Sequence, residues 1–409
     1  MGFPLALSAL SLPPSEWSRD CASLEPCGIG WNPFAAGGCV PSYLYGALTR
    51  LVGLSTIRRA ELLGREELLL RLRSGGKVPE LHPSISKAAA KLDWEACERQ
   101  DREAQARGIQ LLSWDDGRYP AALRTLPDPP PALYLLGSVE ALEGPAVAVV
   151  GSRLCTVYGQ NVAQTLAAEW VRSGLTVVSG LARGIDSSAH EGSLVVPGRA
   201  VAVLGTGIDV PYPRENEGLM RRIVERGGAV VTEFPPGTPP APRNFPIRNR
   251  VIAGLVWGVV IVEATERSGS LITARFALET GREVFAVPQN ITSRTAVGPN
   301  TLIQKGAKLI QRGQDLLEEL PEHLRCKLKQ TEEPAGATPD TLSERSAMNR
   351  RLLALLKPDR GLSVDELCRS SDLPASEVLS GLLELQMAGV CVELPGMRYA
   401  LKGRMKEPH

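Results

Sequence analysis

Histidine is scarce in this chain, with four residues in 409, and its eight cysteines never stand as Cys-x-x-Cys. A zinc site therefore has little support, and no metal or cofactor is expected. The thiols (Cys21, Cys27, Cys39, Cys97, Cys155, Cys326, Cys368, Cys391) are scattered, as in a reducing cytoplasm. No apolar run reaches the roughly 18 residues that suggest a membrane span. The mildly apolar first residues have no basic lead-in, which argues against a signal peptide. Enzyme fingerprints are missing as well. "GTGIDV" gives Gly-x-Gly without a third glycine where a dinucleotide site needs it. There is no Gly-x4-Gly-Lys-Ser/Thr, no Gly-x-Ser-x-Gly elbow and no metal-binding histidine pair. Net charge is +1, so attraction for an anionic partner has to come from local clustering.

What is present is a loop-rich globular composition, 43% hydrophobic with 40 Gly and 32 Pro, long enough for two or three domains. Residues 1–40 show no period and read as a loosely ordered extension. From 41 to 108 the spacing is helical, and "SYLYGALTRLVGLSTIRRAELLG" reads as two short helices about a Gly-Leu-Ser turn. Two readings stay open for this segment: a helix-hairpin-helix-like module touching nucleic-acid backbone, or a small packing domain.

Residues 109–325 are far more regular. Apolar runs at 146–150, 175–179, 200–205, 229–234, 258–264 and 283–288 alternate with amphipathic stretches closed by glycine. Such alternation predicts right-handed βαβ units and a parallel sheet covered on both faces, a Rossmann-like doubly wound domain. Residues 326–345 are polar and read as a linker. Residues 346–402 run helix, helix, helix, hairpin, the order of a winged helix. Its second and third helices carry Asp365, Glu366, Glu377 and Glu384 against Arg369, the wrong sign for reading duplex DNA.

Ligands of a doubly wound sheet bind beyond the carboxyl ends of its strands. Gly151-Ser152-Arg153 follows the first run and leads into a helix with free amide donors, an expected anion site. "SGLARGIDSSAH" brings Ser179, Gly180, Arg183 and Gly184 to the same layer, and "GTGIDVPYPREN" adds Arg214. The loop "PRNFPIRNR" follows the fourth run with Arg243, Asn244, Phe245, Arg248, Asn249 and Arg250. "ERSGS" follows the fifth with Arg267. Between Arg243 and Arg275 five arginines face two carboxylates, Glu263 and Glu266. Several anion cradles in a row, with Phe245 free to stack a base, suit a polynucleotide backbone better than one mononucleotide.

The competing reading pairs these arginines internally with Asp186, Glu233 or Glu263, and makes Phe245 part of the core rim. Asp186 reads as a helix cap and His190 as a structural histidine rather than a general base.

In family order, the motifs "VAVVGSRLCTVYG", "VVSGLARGIDSSAH", "AVLGTGIDVPYPREN", "TEFPPGTPP", "NFPIRNRVIAGL", "VVIVEATERSGSLITARFALETGREVFAVP" and "GPNTLIQKGA" resemble the bacterial DNA-processing protein A family (DprA/Smf). The resemblance is dense over about 109–312. It implies a cytoplasmic, dimeric, non-enzymatic single-stranded-DNA binder that protects incoming strands in natural transformation and helps load RecA. It also implies DNA contacts at Arg153, Arg214, Asn244, Phe245, Arg248, Asn249, Arg250 and Arg267, with Arg243 near a preceding basic position. "PQNITSRTAVGPN" departs from the family's usual Pro-Gly opening. An alternative of another class is a nucleotide-processing enzyme such as a nucleoside-monophosphate glycosidase, but its Pro-Gly-Gly-x-Gly-Thr-x-x-Glu loop is not found. A third, a duplex-DNA regulator acting through the tail, conflicts with the acidic helices.

Overall fold

The computed structural model describes residues 42–51, 54–76, 78–328, 347–357, 361–387, 390–394 and 396–401. The extension at 1–40 and nearly all of the 326–345 linker lie outside these. Two compact units divide the chain near residue 329.

The first unit is built on nine strands: β1 (Gln110–Ser113), β2 (Ala132–Gly137), β3 (Ala146–Val150), β4 (Thr176–Ser179), β5 (Ala200–Val203), β6 (Ala229–Thr232), β7 (Gly258–Ile261), β8 (Glu283–Ala286) and β9 (Lys308–Leu309). Their spatial order is β1-β2-β6-β5-β4-β3-β7-β8-β9. The six expected runs are β3 to β8, and the pairings among these six are all parallel. One edge adds antiparallel strands to the expected parallel sheet. There β1 pairs antiparallel with β2, and β2 antiparallel with β6. These strands come from the Pro-rich lead-in, where the prolines break the apolar pattern.

Helices α1 (Ser42–Thr49), α2 (Thr56–Ala60), α3 (Glu66–Arg73), α4 (Pro83–Ala89) and α5 (Trp94–Ala106) precede the sheet, and α6 (Ala121–Arg124) joins β1 to β2. The crossovers are α7 (Val157–Arg172), α8 (Ile185–Ser193), α9 (Glu217–Glu225), α10 (Asn244–Leu255), α11 (Ser270–Glu279) and α12 (Val297–Gln304), followed by α13 (Gly313–Leu317) and α14 (Glu322–Arg325). Alternation along each strand splits the core. Val147 and Val149 pack with Trp170 and Leu166 of α7, whereas Ala148 and Val150 pack with Val251 and Ile252 of α10. The front helices share this core: Leu44, Tyr45 and Leu48 lie in one cluster with Tyr134, Ala202 and Val230. A buried polar knot reinforces the joint, where Arg50 donates to Asp101 (2.6 Å) and to the Tyr134 hydroxyl (2.8 Å). The described part of 41–108 thus packs onto the sheet.

The second unit runs α15 (Ala347–Leu355), β10 (Leu362–Ser363), α16 (Val364–Ser371), α17 (Ala375–Met387), β11 (Cys391–Leu394) and β12 (Arg398–Leu401), with strand order β10-β12-β11. Leu352, Leu367, Leu382 and Tyr399 share its core, and Ser363 and Glu366 form a capping box on α16. This is a winged helix. The outer face of α17 presents Leu379, Leu383 and Glu377, and no Lys or Arg occurs between Arg369 and Arg398.

Candidate nucleic-acid interface

The chain leaves β3 toward β4, β5 and β6 on one side, then returns to β7 on the other. The carboxyl ends of β3 and β7 therefore mark the switch point at which open α/β sheets bind ligands. A cleft of about 470 Å³ opens there, between the Gly151–Leu154 turn and the Thr265–Ser270 loop. A smaller one of about 50 Å³ lies beside it, lined by Gly180, Arg183, Gly205 and Tyr212. Arg153, Phe245 and Arg248 border both.

The wall between the two clefts is aromatic. Phe245 is half-buried, its ring 5.6 Å from that of Tyr212, with the Arg153 guanidinium 5.2 Å from its centroid. Part of the ring is thus already covered, which corrects the expectation of a free stacking face. Tyr212, 40% exposed, adds an aromatic edge the sequence reading passed over. Its only local signal was its place between two prolines.

The stretch from Pro242 was expected to be a loop, and most of it is α10. Arg243 stands at the N-cap and Pro246 in the first turn, where a missing N–H costs no helical bond. Helical periodicity then sorts its residues. Phe245, Arg248, Asn249 and Ile252 share the face that meets the larger cleft. Arg250, about 200° around the helix from Arg248, points elsewhere. It is 4% exposed and pairs with Glu233 at 2.6 Å and with Asp128 at 3.4 Å. For Arg250 the internal ion-pair reading holds, and a DNA contact does not.

Arg248 is 5% exposed and clamps the sheet. Its guanidinium donates to the carbonyls of Gly180 (2.6 Å) and Val203 (2.5 Å), across the ends of β4 and β5, and to Asn249 Oδ1 (3.1 Å). Burial lowers its pKa to about 10, against the opposing charge of Asp186, so it stays protonated at neutral pH. Asn249 passes the clamp on, donating to the carbonyl of Gly269 (3.2 Å). Ser179 is fully buried, donating to the Val149 carbonyl (2.6 Å), and Gly180 and Asn244 are buried too. These polar groups shape the rim from beneath. Asp186 is not the cap of α8, a place held by Gly184; its carboxylate accepts the N–H of Gly180 (3.2 Å). Burial raises the Asp186 pKa, with Arg248 opposing.

On the surface stand Arg153, Arg183, Arg214, Arg243 and Arg267. Arg183 is held by Glu215 through two bonds (2.5 and 2.7 Å). The other four form no ion pair among the described residues. They project from the loops after β3, β5, β6 and β7.

His190 lies fully buried in α8, and burial takes its pKa down to about 3. A depressed histidine binds its proton more readily in the unfolded chain, so stability falls as pH drops from about 6.5 toward 3. At pH 5 the expected loss relative to pH 7 is about 2 kcal/mol. Urea melts of wild type and His190→Asn at both pH values check this, since the variant's pH difference shrinks by that amount.

No helix among the described residues is long and apolar enough to cross a membrane. A family model for DNA recombination-mediator protein A matches residues 110–321, and one for the DprA winged helix domain matches 334–397. Protein Smf of Escherichia coli K12 is 41% identical over 286 residues, 70% of this chain and 76% of its own. DNA processing protein DprA of Bacillus subtilis is 43% identical over 217 residues, 53% and 73% of the two chains. The X-ray structure of DNA processing protein A from Streptococcus pneumoniae superposes with a TM-score of 0.60 at 35% identity, covering 69% of this chain and 99% of that one. A sheet switch point ringed by arginine loops, a trailing winged helix and these matches place the chain in the DNA recombination-mediator protein A family.

Proposed function

We propose that this chain binds single-stranded DNA without transforming it, and acts as a recombination mediator. It shelters strands taken up in natural transformation and passes them to RecA, working as a homodimer in the cytoplasm. The observation that carries the reading is the set of four exposed guanidiniums without an ion pair among the described residues, Arg153, Arg214, Arg243 and Arg267, on the loops after β3, β5, β6 and β7 at one sheet edge. Arg153 borders both clefts and the other three stand on further loops of the same edge, a spacing that suits the charges of a strand better than one compact phosphate group. The aromatic wall of Phe245 and Tyr212 offers apolar edges to unpaired bases, which a duplex keeps stacked inside.

Among the residues lining the larger cleft there is one carboxylate. Asp186, the carboxylate lining the larger cleft, is held by the Gly180 N–H and lies close to Arg248.

Fluorescence anisotropy with matched single-stranded and duplex oligonucleotides tests the proposal. Wild type prefers the single strand, and Phe245→Ala loses about 1–3 kcal/mol of single-strand affinity while leaving weak duplex binding unchanged. Equal affinity for the two forms at moderate salt contradicts the reading.

A further inference from the structure

The first turn of α7 is where a Rossmann-like sheet ordinarily receives a nucleotide phosphate. It follows a strand at the switch point, a glycine turn leads into it, and its first amides lack intrahelical partners. In this chain a carboxylate from the neighbouring loop fills that place. Glu263, two residues beyond β7 and fully buried, accepts the Thr156 N–H (2.9 Å) and the Thr156 hydroxyl (2.5 Å). That hydroxyl in turn accepts the Gly159 N–H (3.1 Å). Glycine at 159 makes the seat, because a Cβ there would stand 2.5 Å from the carboxylate carbon. The Glu263 carbonyl also accepts the Ser152 N–H (2.7 Å), so one residue ties together the two loops that wall the larger cleft. No Lys or Arg pairs with Glu263 among the described residues. Its charge is met by these donors and by the positive end of a 16-residue helix.

We propose that Glu263 is a specificity-determining residue of this cleft: its carboxylate occupies the position a free mononucleotide's phosphate would need. Phosphates are then received only by the guanidiniums outside, where they arrive strung along a strand. The same bonds hold the turn that carries Arg153, so Glu263 also positions that contact. The inference deepens the single-strand reading and rests on it.

The test titrates full-length wild type, Glu263→Ala and Glu263→Gln with 5′-adenosine monophosphate by calorimetry. In parallel, a labelled oligothymidylate is followed by anisotropy, with circular dichroism reporting the fold. Wild type shows no saturable nucleotide binding. Glu263→Ala gains nucleotide affinity by about tenfold or more and loses oligothymidylate affinity by a similar factor. Glu263→Gln, which keeps an acceptor but no charge, falls between. A folded Glu263→Ala that gains no nucleotide affinity overturns the proposal, as does saturable binding by wild type that shifts the Gly159 amide resonance. Should Glu263→Ala fail to fold, the wild-type Gly159 resonance decides: unmoved by nucleotide it supports the assignment, and shifted it removes it. If wild type ignores both ligands and Glu263→Ala takes up nucleotide, the single-strand reading fails while the role of Glu263 stands.

Discussion

Replacing Arg153, Arg214, Arg243 and Arg267 together by alanine lowers single-strand affinity by roughly a hundredfold at moderate salt and leaves the fold intact. Each guanidinium set against a phosphate releases condensed counterions, and for single strands this gives a salt slope of about −0.7 per contact. Four contacts removed should therefore flatten the log–log slope by about three. All four side chains are exposed and form no ion pair among the described residues, so the cost to stability stays within about 0.5 kcal/mol for each. Arg183→Ala is the internal control. Glu215 already offsets that charge, so removing it changes the slope less than removing any of the four. Anisotropy titrations across a salt series, beside thermal melts, make the check. A folded quadruple variant with an unchanged slope takes the rim out of the interface.

Arg250→Ala should do the reverse: the fold suffers while the binding surface survives. Its guanidinium and the Glu233 carboxylate are both about 4% exposed, in contact at 2.6 Å, with Asp128 alongside. Removing one member of a buried pair strands the other and costs about 3–5 kcal/mol. For a unit of this size that lowers the melting temperature by roughly 10 °C. Glu233→Gln added to Arg250→Ala should recover part of the loss, because an amide buried there carries no uncompensated charge. The deficit depends on pH. Burial already holds the Glu233 pKa above its ordinary value despite Arg250, and losing Arg250 raises it further. A carboxyl whose folded pKa exceeds its unfolded one favours the folded state at low pH and disfavours it as pH rises. The variant's deficit is accordingly smallest near pH 5 and grows toward pH 8. Melts across that range, with single-strand affinity measured on the folded protein, separate a structural Arg250 from a DNA-contacting one. An unchanged melting temperature combined with lost affinity contradicts the assignment.

Arg248 and Arg250 show how far the residues alone could be read. Both stand in one arginine-rich segment, and a loop would have offered both to a ligand. The segment is helical, and two residues' rotation turns Arg248 toward the strand ends and Arg250 toward Glu233. Proline ordinarily breaks a helix, but Pro246, in a first turn, breaks nothing. The added strands β1 and β2 escaped notice for a similar reason, hidden in a segment whose prolines and turn residues mask a short alternating pattern.

Local pattern was enough for the six parallel strands, their crossover helices apart from α10, the winged helix and the loops bearing arginine and glycine at the carboxyl edge. Period and turn chemistry are properties of neighbouring residues, and they survive without knowledge of the rest of the chain. Which arginines reach solvent, and what fills the first turn of α7, are settled by partners far away in sequence. Glu263 meets Thr156 across 107 positions, and Arg248 meets Gly180 across 68. Burial and charge pairing at such separations exist only once the sheet has brought the loops together, so they belong to the tertiary structure.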